Sequence, residues 1–163
     1  MRHGVRLGID VGRARIGVAR SDAGAILAVP VETVARVADG AVQAGADVQR
    51  ILEIADEHDA FELVVGNPLS LSGQSTASTH DAVAFAGRLA AASDLPVRLV
   101  DERLSTVSAQ RDLRAAGRPA KRQRSVVDQA AAVIILQHAI DAERASGDAP
   151  GRLVPADEGP PPT

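Results

Sequence analysis

The stretch Val5-Arg6-Leu7-Gly8-Ile9-Asp10-Val11-Gly12, followed after a short Arg-rich turn by Ile16-Gly17-Val18-Ala19, decides how this chain is read. Val5, Leu7, Ile9 and Val11 alternate along one face of a strand, and Arg6, Gly8, Asp10 and Gly12 fall on the other. That second face is almost bare of side chains. Glycines inside a strand leave room for a ligand or another backbone to approach, and a carboxylate among core positions is costly unless something pairs with it. Asp10 is therefore the first candidate for a ligand site. Asp and Gly are also ordinary turn residues, so the competing reading has Asp10 ending the strand and capping the turn through Gly12.

Working outward, three strands are expected in succession, Val5 to Val11, Ile16 to Ser21 and Ile26 to Val31. Their short connections, Gly12-Arg13-Ala14 and Asp22-Ala23-Gly24, force antiparallel neighbours. Val48, Ile51, Leu52 and Ala55 then recur at helical spacing, predicting an amphipathic helix over 41–58. Leu63-Val64-Val65-Gly66 reads as a buried parallel strand, and Asn67 to Gln74 as a loop. A helix over 76–93 and a strand over 97–100 follow, the strand running into Asp101-Glu102. Another helix is expected from Ser105 to Ala116, stopped by Gly117 and Pro119. The last helix is expected over 126–145, apolar almost all round and so placed inside.

The order implies an α/β domain over 1–145, a mixed five-stranded sheet of three antiparallel strands and then two parallel ones, with helices on both faces. The Gly/Pro-rich acidic tail over 146–163 is expected to be disordered. Ligands of such sheets gather at the carboxyl ends of the parallel strands, where Glu102 lies.

Composition narrows the function. Cysteine is absent, which removes disulfides, thiolate nucleophiles and Cys-ligated zinc. The only aromatic residues are Phe61 and Phe85, which argues against a module that stacks unpaired bases. No apolar run approaches the roughly 20 residues that span a bilayer, and no signal-peptide core precedes the first strand. A cytoplasmic protein with no membrane partner is expected. The net charge of −3 conceals a regional split, because residues 141–163 are acidic while the first 140 are balanced. Arg114, Arg118, Lys121, Arg122 and Arg124 place five positive charges in 11 residues without an acid. A solvated loop is the bland explanation. A basic arm beside a carboxylate pocket would instead hold a nucleic-acid backbone, and Arg13 and Arg15 in the first turn would extend that surface.

Asp10, the Asp101-Glu102 pair and Asp128 are acids that such a fold could bring together. Clustered carboxylates need a proton or a cation among them, and ligands that are all oxygen suit Mg²⁺ or Mn²⁺. Two such ions about 3.5–4 Å apart can activate water and stabilise the leaving oxygen in phosphodiester hydrolysis. Competing readings stand beside each acid. Ser125-Val126-Val127-Asp128 resembles a capping box, which would make Asp128 a helix-terminal charge. Asp101-Glu102-Arg103 could be an exposed turn with a local salt bridge. His3, His58, His80 and His138 have no metal-binding spacing and receive no role.

With these residues named, the chain resembles the YqgF/RuvX family of RNase H-like nucleases over Arg6 to Gln137. Four stretches carry the resemblance: Gly8-Ile9-Asp10-Val11-Gly12 with Arg15-Ile16-Gly17-Val18-Ala19; Gly66-Asn67-Pro68 with Gly73; Asp101-Glu102-Arg103-Leu104-Ser105-Thr106; and Asp128-Gln129-Ala130-Ala131 with Ile135-Leu136-Gln137. Asn67 departs from the hydrophobic residue expected between Gly66 and Pro68. The resemblance implies an RNase H-like fold and one or two Mg²⁺ or Mn²⁺ ions held by Asp10, Glu102 and Asp128, with Asp101 and Thr106 supporting them. Arg103 and the basic arm would hold the substrate backbone. It implies a nuclease maturing the precursor of 16S rRNA, a structured RNA substrate. A Holliday junction resolvase cutting branched DNA as a homodimer is the alternative. Two further readings compete: an actin-like ATPase, which needs two such lobes where 163 residues supply one, and a non-catalytic nucleic-acid-binding scaffold.

Overall fold

Alternation along the first strand becomes a division between two cores. In the computed structural model, which describes residues 1–38, 40–104 and 121–155, with Leu104 and residues 121–126 described by backbone alone, β1 spans Arg6–Val11. Leu7, Ile9 and Val11 face one core, and Gly8 faces a helix on the other side. β1 pairs antiparallel with β2 (Arg15–Ser21), and β2 pairs antiparallel with β3 (Ala28–Ala35). On its other side β1 pairs parallel with β4 (Glu62–Asn67), which pairs parallel with β5 (Val97–Asp101). The chain thus crosses over once per parallel connection, through α1 (Ala46–Glu57) and α2 (Ala77–Ala92).

α1 and α2 cover one face. Val48, Ile51 and Ile54 of α1, with Phe85 and Leu89 of α2, pack on Leu7, Ile9, Ile16, Val18, Leu63, Val65 and Leu99. α3 (Lys121–Ser146) covers the other face with Ala131, Ala132, Ile135, Leu136, Ala139 and Ile140, against Ala19, Ala28 and Val64. Small residues dominate this second core because helix and sheet come very close. A Cβ on Gly8 would stand 2.6 Å from Leu136 Cβ and 2.8 Å from the Ala132 carbonyl oxygen.

The mixed sheet with helices on both faces agrees with the sequence reading, with four differences. First, the described sheet has six strands in the order β3-β2-β1-β4-β5-β6, not five. β6 (Arg152–Leu153) comes from the segment expected to be disordered and pairs antiparallel with β5. Val154, only 4% exposed, enters the first core and its N–H bonds to the Val97 carbonyl at 2.8 Å. Glycine and proline at 147, 150 and 151 mask this two-residue strand in the sequence, and residues 156–163 of that expectation lie outside the described residues.

Second, β3 begins at Ala28 and runs to Ala35 where Ile26–Val31 was expected. The Asp22 carboxylate accepts from the N–H groups of Ile26 and Leu27 at 2.8 Å and holds both in the turn. Pro30 is tolerated because β3 is the edge strand, opposite a register shift at Val18/Ala19. Third, α1 is shorter than expected, starting after Gly45, whose φ of 86° no ordinary side chain favours. Fourth, α3 starts at Lys121 and buries one face only, with His138, Asp141 and Arg144 exposed. The helix expected over 105–116 lies outside the described residues. Among the described residues no helix is long and apolar enough to cross a membrane.

Candidate functional site

Asp10 sits one residue from the end of β1, on the face covered by α3. Its register partner on β2 is Gly17. On the β4 side Ile9 pairs with Val65, so Gly66 runs alongside Asp10. Strands in a sheet lie about 4.8 Å apart. Asp10 is therefore flanked across the sheet by a glycine on each side. Both glycines are covered by another acid of the proposed set. A Cβ on Gly66 would run into the Glu102 carboxylate, and a Cβ on Gly17 would stand 2.5 Å from the carbonyl carbon of Asp128. Any other residue at 66 or 17 would push these groups away.

The three acids are buried, at 2% exposure for Asp10 and Glu102 and 5% for Asp128. Glu102 is turned inward by a 3-10 turn, Glu102–Leu104, that begins where β5 ends. Burial, and then the charge of neighbouring Asp101, push its carboxyl up to about 7. Asp101 itself faces outward and accepts from Arg103 Nη2 at 2.6 Å and from the Arg103 backbone N–H at 2.9 Å. The Arg103 guanidinium holds Asp101 below the usual carboxylate range. The local salt bridge weighed for this turn thus describes Asp101 and Arg103, and does not describe Glu102.

The capping reading of Asp128 does not hold. α3 is already running at Lys121, which puts Asp128 about two turns in rather than at an N-terminus. Lys, Arg and Gln are good helix formers, and residues 121–124 continue the helix backwards past Ser125. A carboxylate in mid-helix over a sheet needs a partner. Arg15 supplies one, its Nε donating to Asp128 Oδ2 at 2.9 Å.

Among the described residues no three His, Cys, Asp or Glu side chains are gathered as a ready-made metal group. Asp10, Glu102 and Asp128 share one face and one end of the sheet without closing on a single point. Their fit to a divalent ion rests on other grounds: donors that are all oxygen, glycine cradles that a Cβ would fill, and an arginine already supplying positive charge to Asp128.

Of the other expected residues, Arg13 is exposed in the β1–β2 turn. Arg103 lies over the loop after β4, where a Cβ on Gly73 would stand 2.9 Å from its Nη1. Thr106, Arg114 and Arg118 lie outside the described residues. Lys121, Arg122 and Arg124 are placed on the first turn of α3 by their backbone alone. His3, His80 and His138 are exposed.

Two features escaped the sequence reading. Arg36, at the end of β3, donates to the Gly12 carbonyl at 2.8 Å and to Asp81 of α2 at 2.8 Å, tying the turn that carries Arg13 to the helix layer. At the opposite end of the sheet, Arg6 donates to Glu143 at 2.7 Å, while Arg2 and Arg98 each reach Glu62 at 2.9 Å. Arg6, Glu62 and Glu143 are at most 1% exposed. The one signal for this cluster in the sequence is Arg6, a charge on the same strand face as Asp10.

Comparison with known proteins places the chain. Residues 4–142 match the RuvX family, described as Holliday junction resolvase. A protein of Clavibacter sepedonicus named "Putative pre-16S rRNA nuclease" is 63% identical over 155 residues, covering 95% of this chain and 94% of its own. One of the same name from Leifsonia xyli subsp. xyli is 59% identical over 160 residues, covering 98% of this chain and all of its own. The fold is similar to that of T. thermophilus RuvC solved in complex with Holliday junction substrate, at 19% identity and a TM-score of 0.52, covering 88% of this chain and 98% of RuvC. That likeness bears out the RNase H-like fold. Matched over most of its length by one family and by relatives of nearly its own size, the chain belongs to the RuvX family.

Proposed function

We propose that this chain is a divalent-metal-dependent endonuclease that hydrolyses phosphodiester bonds in the precursor of 16S rRNA, in the cytoplasm where ribosomes are built. The observation that carries the reading is the placement of Asp10 between Gly17 and Gly66, with the backbone of Asp128 over one and the carboxylate of Glu102 over the other. An inert core would fill such positions with side chains. The family match and the names carried by relatives at 59–63% identity support the same reading.

Asp10, Glu102 and Asp128 would hold one or two Mg²⁺ or Mn²⁺ ions. When bound, the metal would activate water and stabilise the departing oxygen. The protein's own groups prepare that chemistry. Burial, and then the charge of Asp101, push the Glu102 carboxyl up to about 7 in the metal-free protein, so a bound cation would favour its charged form. Asp101 accepts from the backbone N–H and the side chain of Arg103 and so fixes the turn that aims Glu102 inward. Arg13, Arg103 and the arm containing Arg114, Arg118, Lys121, Arg122 and Arg124 would hold the nucleic-acid backbone, with Thr106 supporting the site.

The family description favours one alternative, a resolvase of branched DNA. Two symmetric cuts would then require a two-fold homodimer. Incubating the purified chain with Mn²⁺ and either precursor 16S RNA or a four-way DNA junction separates the two. RNA cleavage that is lost in Asp10→Asn supports the proposal. Equal cutting by wild type and Asp10→Asn removes the catalytic site, and cutting of junctions alone transfers the assignment to DNA.

A further inference from the structure

We propose that Arg15 is a displaceable counter-cation: it holds the Asp128 carboxylate in the metal-free protein, yields it to an incoming divalent ion, and is thereby released to grip a phosphate of the substrate. The inference rests on the nuclease reading and adds to it a coupling between metal and nucleic acid.

Arg15 opens β2, directly after the turn that carries exposed Arg13. Its Nε donates to Asp128 Oδ2 at 2.9 Å, from a side chain that is 30% exposed onto one that is 7% exposed. The two partners differ in freedom. The backbone of Asp128 is pressed against Gly17 in the sheet, so the carboxylate cannot leave by a shift of α3 without opening the second core. Arg15 has a long side chain with one side in solvent. When the contact breaks, the arginine is the part that moves.

A competing cation can break the contact. A divalent ion brings twice the charge and bonds carboxylate oxygens directly. The guanidinium it displaces is a planar fork suited to bidentate phosphate contact, on a side chain 30% exposed beside the β1–β2 turn. Linkage then makes the exchange reciprocal: metal raises affinity for nucleic acid by the same factor as nucleic acid raises affinity for metal.

The test uses the full chain. Mn²⁺ is titrated calorimetrically into wild type, Arg15→Gln, Arg15→Lys and Asp10→Asn. Binding of a labelled RNA hairpin is followed by fluorescence anisotropy in Ca²⁺ or EDTA, with the hairpin checked intact on a gel. Arg15→Gln should bind Mn²⁺ several-fold more tightly than wild type, since the Arg15 charge no longer competes for Asp128. RNA affinity of wild type should rise on adding Ca²⁺, and that rise should shrink in Arg15→Gln. Arg15→Lys preserves the charge that steadies the fold; it should bind Mn²⁺ much as wild type does, yet lose part of the Ca²⁺-dependent gain in RNA affinity. A purely structural role would weaken Mn²⁺ binding in Arg15→Gln instead, and that result overturns the inference. So does an undiminished gain in Arg15→Lys. If Asp10→Asn loses Mn²⁺ and Arg15→Gln matches wild type, only the Arg15 exchange falls. If neither variant differs from wild type, the metal site falls and takes the exchange with it.

Discussion

A Cβ on Gly66 would occupy the space taken by the Glu102 carboxylate and stand 2.6 Å from Ile135 Cδ1, whereas one on Gly17 would meet the main chain of Asp128. The two glycines look alike in sequence, yet they make room for different things. At 66 the neighbours are the ends of two side chains; at 17 the neighbour is helix backbone.

Different outcomes follow for the two alanine variants. Gly66→Ala can be absorbed by swinging Glu102 and Ile135 aside, so it should cost about 1 kcal/mol of stability or less while lowering Mn²⁺ affinity about tenfold or more. Gly17→Ala forces α3 off the sheet and should cost about 1–3 kcal/mol or more. Urea unfolding and Mn²⁺ calorimetry on both variants read the contrast. Equal effects on both quantities would contradict the distinction between side-chain and backbone neighbours.

Glu102 gives a pH dependence with a definite sign. Its carboxyl is raised from the ordinary 4.5 to about 7 in the folded, metal-free protein. Between those values the native state holds a proton that the unfolded chain has released, so stability falls as pH rises from about 4.5 to about 7 and then levels. Glu102→Gln removes the effect. In EDTA it should match wild type near pH 4.5 and exceed it by about 1–3 kcal/mol at pH 8. Adding Mn²⁺ should reverse the order at pH 8, because only wild type gains from the ligand. Denaturant midpoints across pH, with and without metal, make the check.

How far the sequence could be read follows from what each feature is built of. The alternation Leu7, Ile9, Val11 against Gly8, Asp10, Gly12 is a local, period-two signal, and the sheet uses it as expected. Helical spacing likewise locates α1 and α2. Asp10 on β1 and Glu102 directly after β5 lie where the sequence puts them, whereas Asp128 lies deeper in its helix than expected. Pairings between distant residues left no such trace. Nothing in Arg15 or Asp128 announces that they meet, since the contact depends on how closely α3 descends on Gly17. The start of α3 was misplaced because Ser125-Val126-Val127-Asp128 imitates a capping box while tertiary packing carries the helix on to Lys121. β6 was invisible for a related reason. Two residues give no periodicity, and their strand character comes from the β5 edge they pair with.

At the far end of the sheet, Glu143 links α3 to the start of β1. It accepts from Arg6 at 2.7 Å with both side chains at most 2% exposed, and from Arg2 as well. Removing Glu143 takes from buried Arg6 its nearer carboxylate and leaves it Glu62 at 3.9 Å, so Glu143→Gln should destabilise the protein by up to about 3 kcal/mol. The cluster lies far from the acids at the carboxyl ends of the strands. Mn²⁺ affinity, measured well below the melting temperature of the variant, should therefore stay at the wild-type value. A joint loss of stability and metal affinity would show that the two ends of the sheet are coupled.

β6 turns on two adjacent residues with opposite surroundings. Leu153 is 53% exposed, while Val154 is 4% exposed and bonded through its N–H to the Val97 carbonyl at 2.8 Å. A disordered tail would be indifferent to both side chains. A segment docked on β5 that inserts one of them is not: Val154→Ala should lower stability by about 1–3 kcal/mol, and Leu153→Ala should change it by no more than about 0.5 kcal/mol. The same asymmetry should appear in amide exchange, with the Val154 N–H protected by its bond to β5 and tracking the stability of the first core. Matching behaviour of the two alanine variants, or rapid exchange at Val154, would return this segment to the disordered tail that its glycines and prolines suggest.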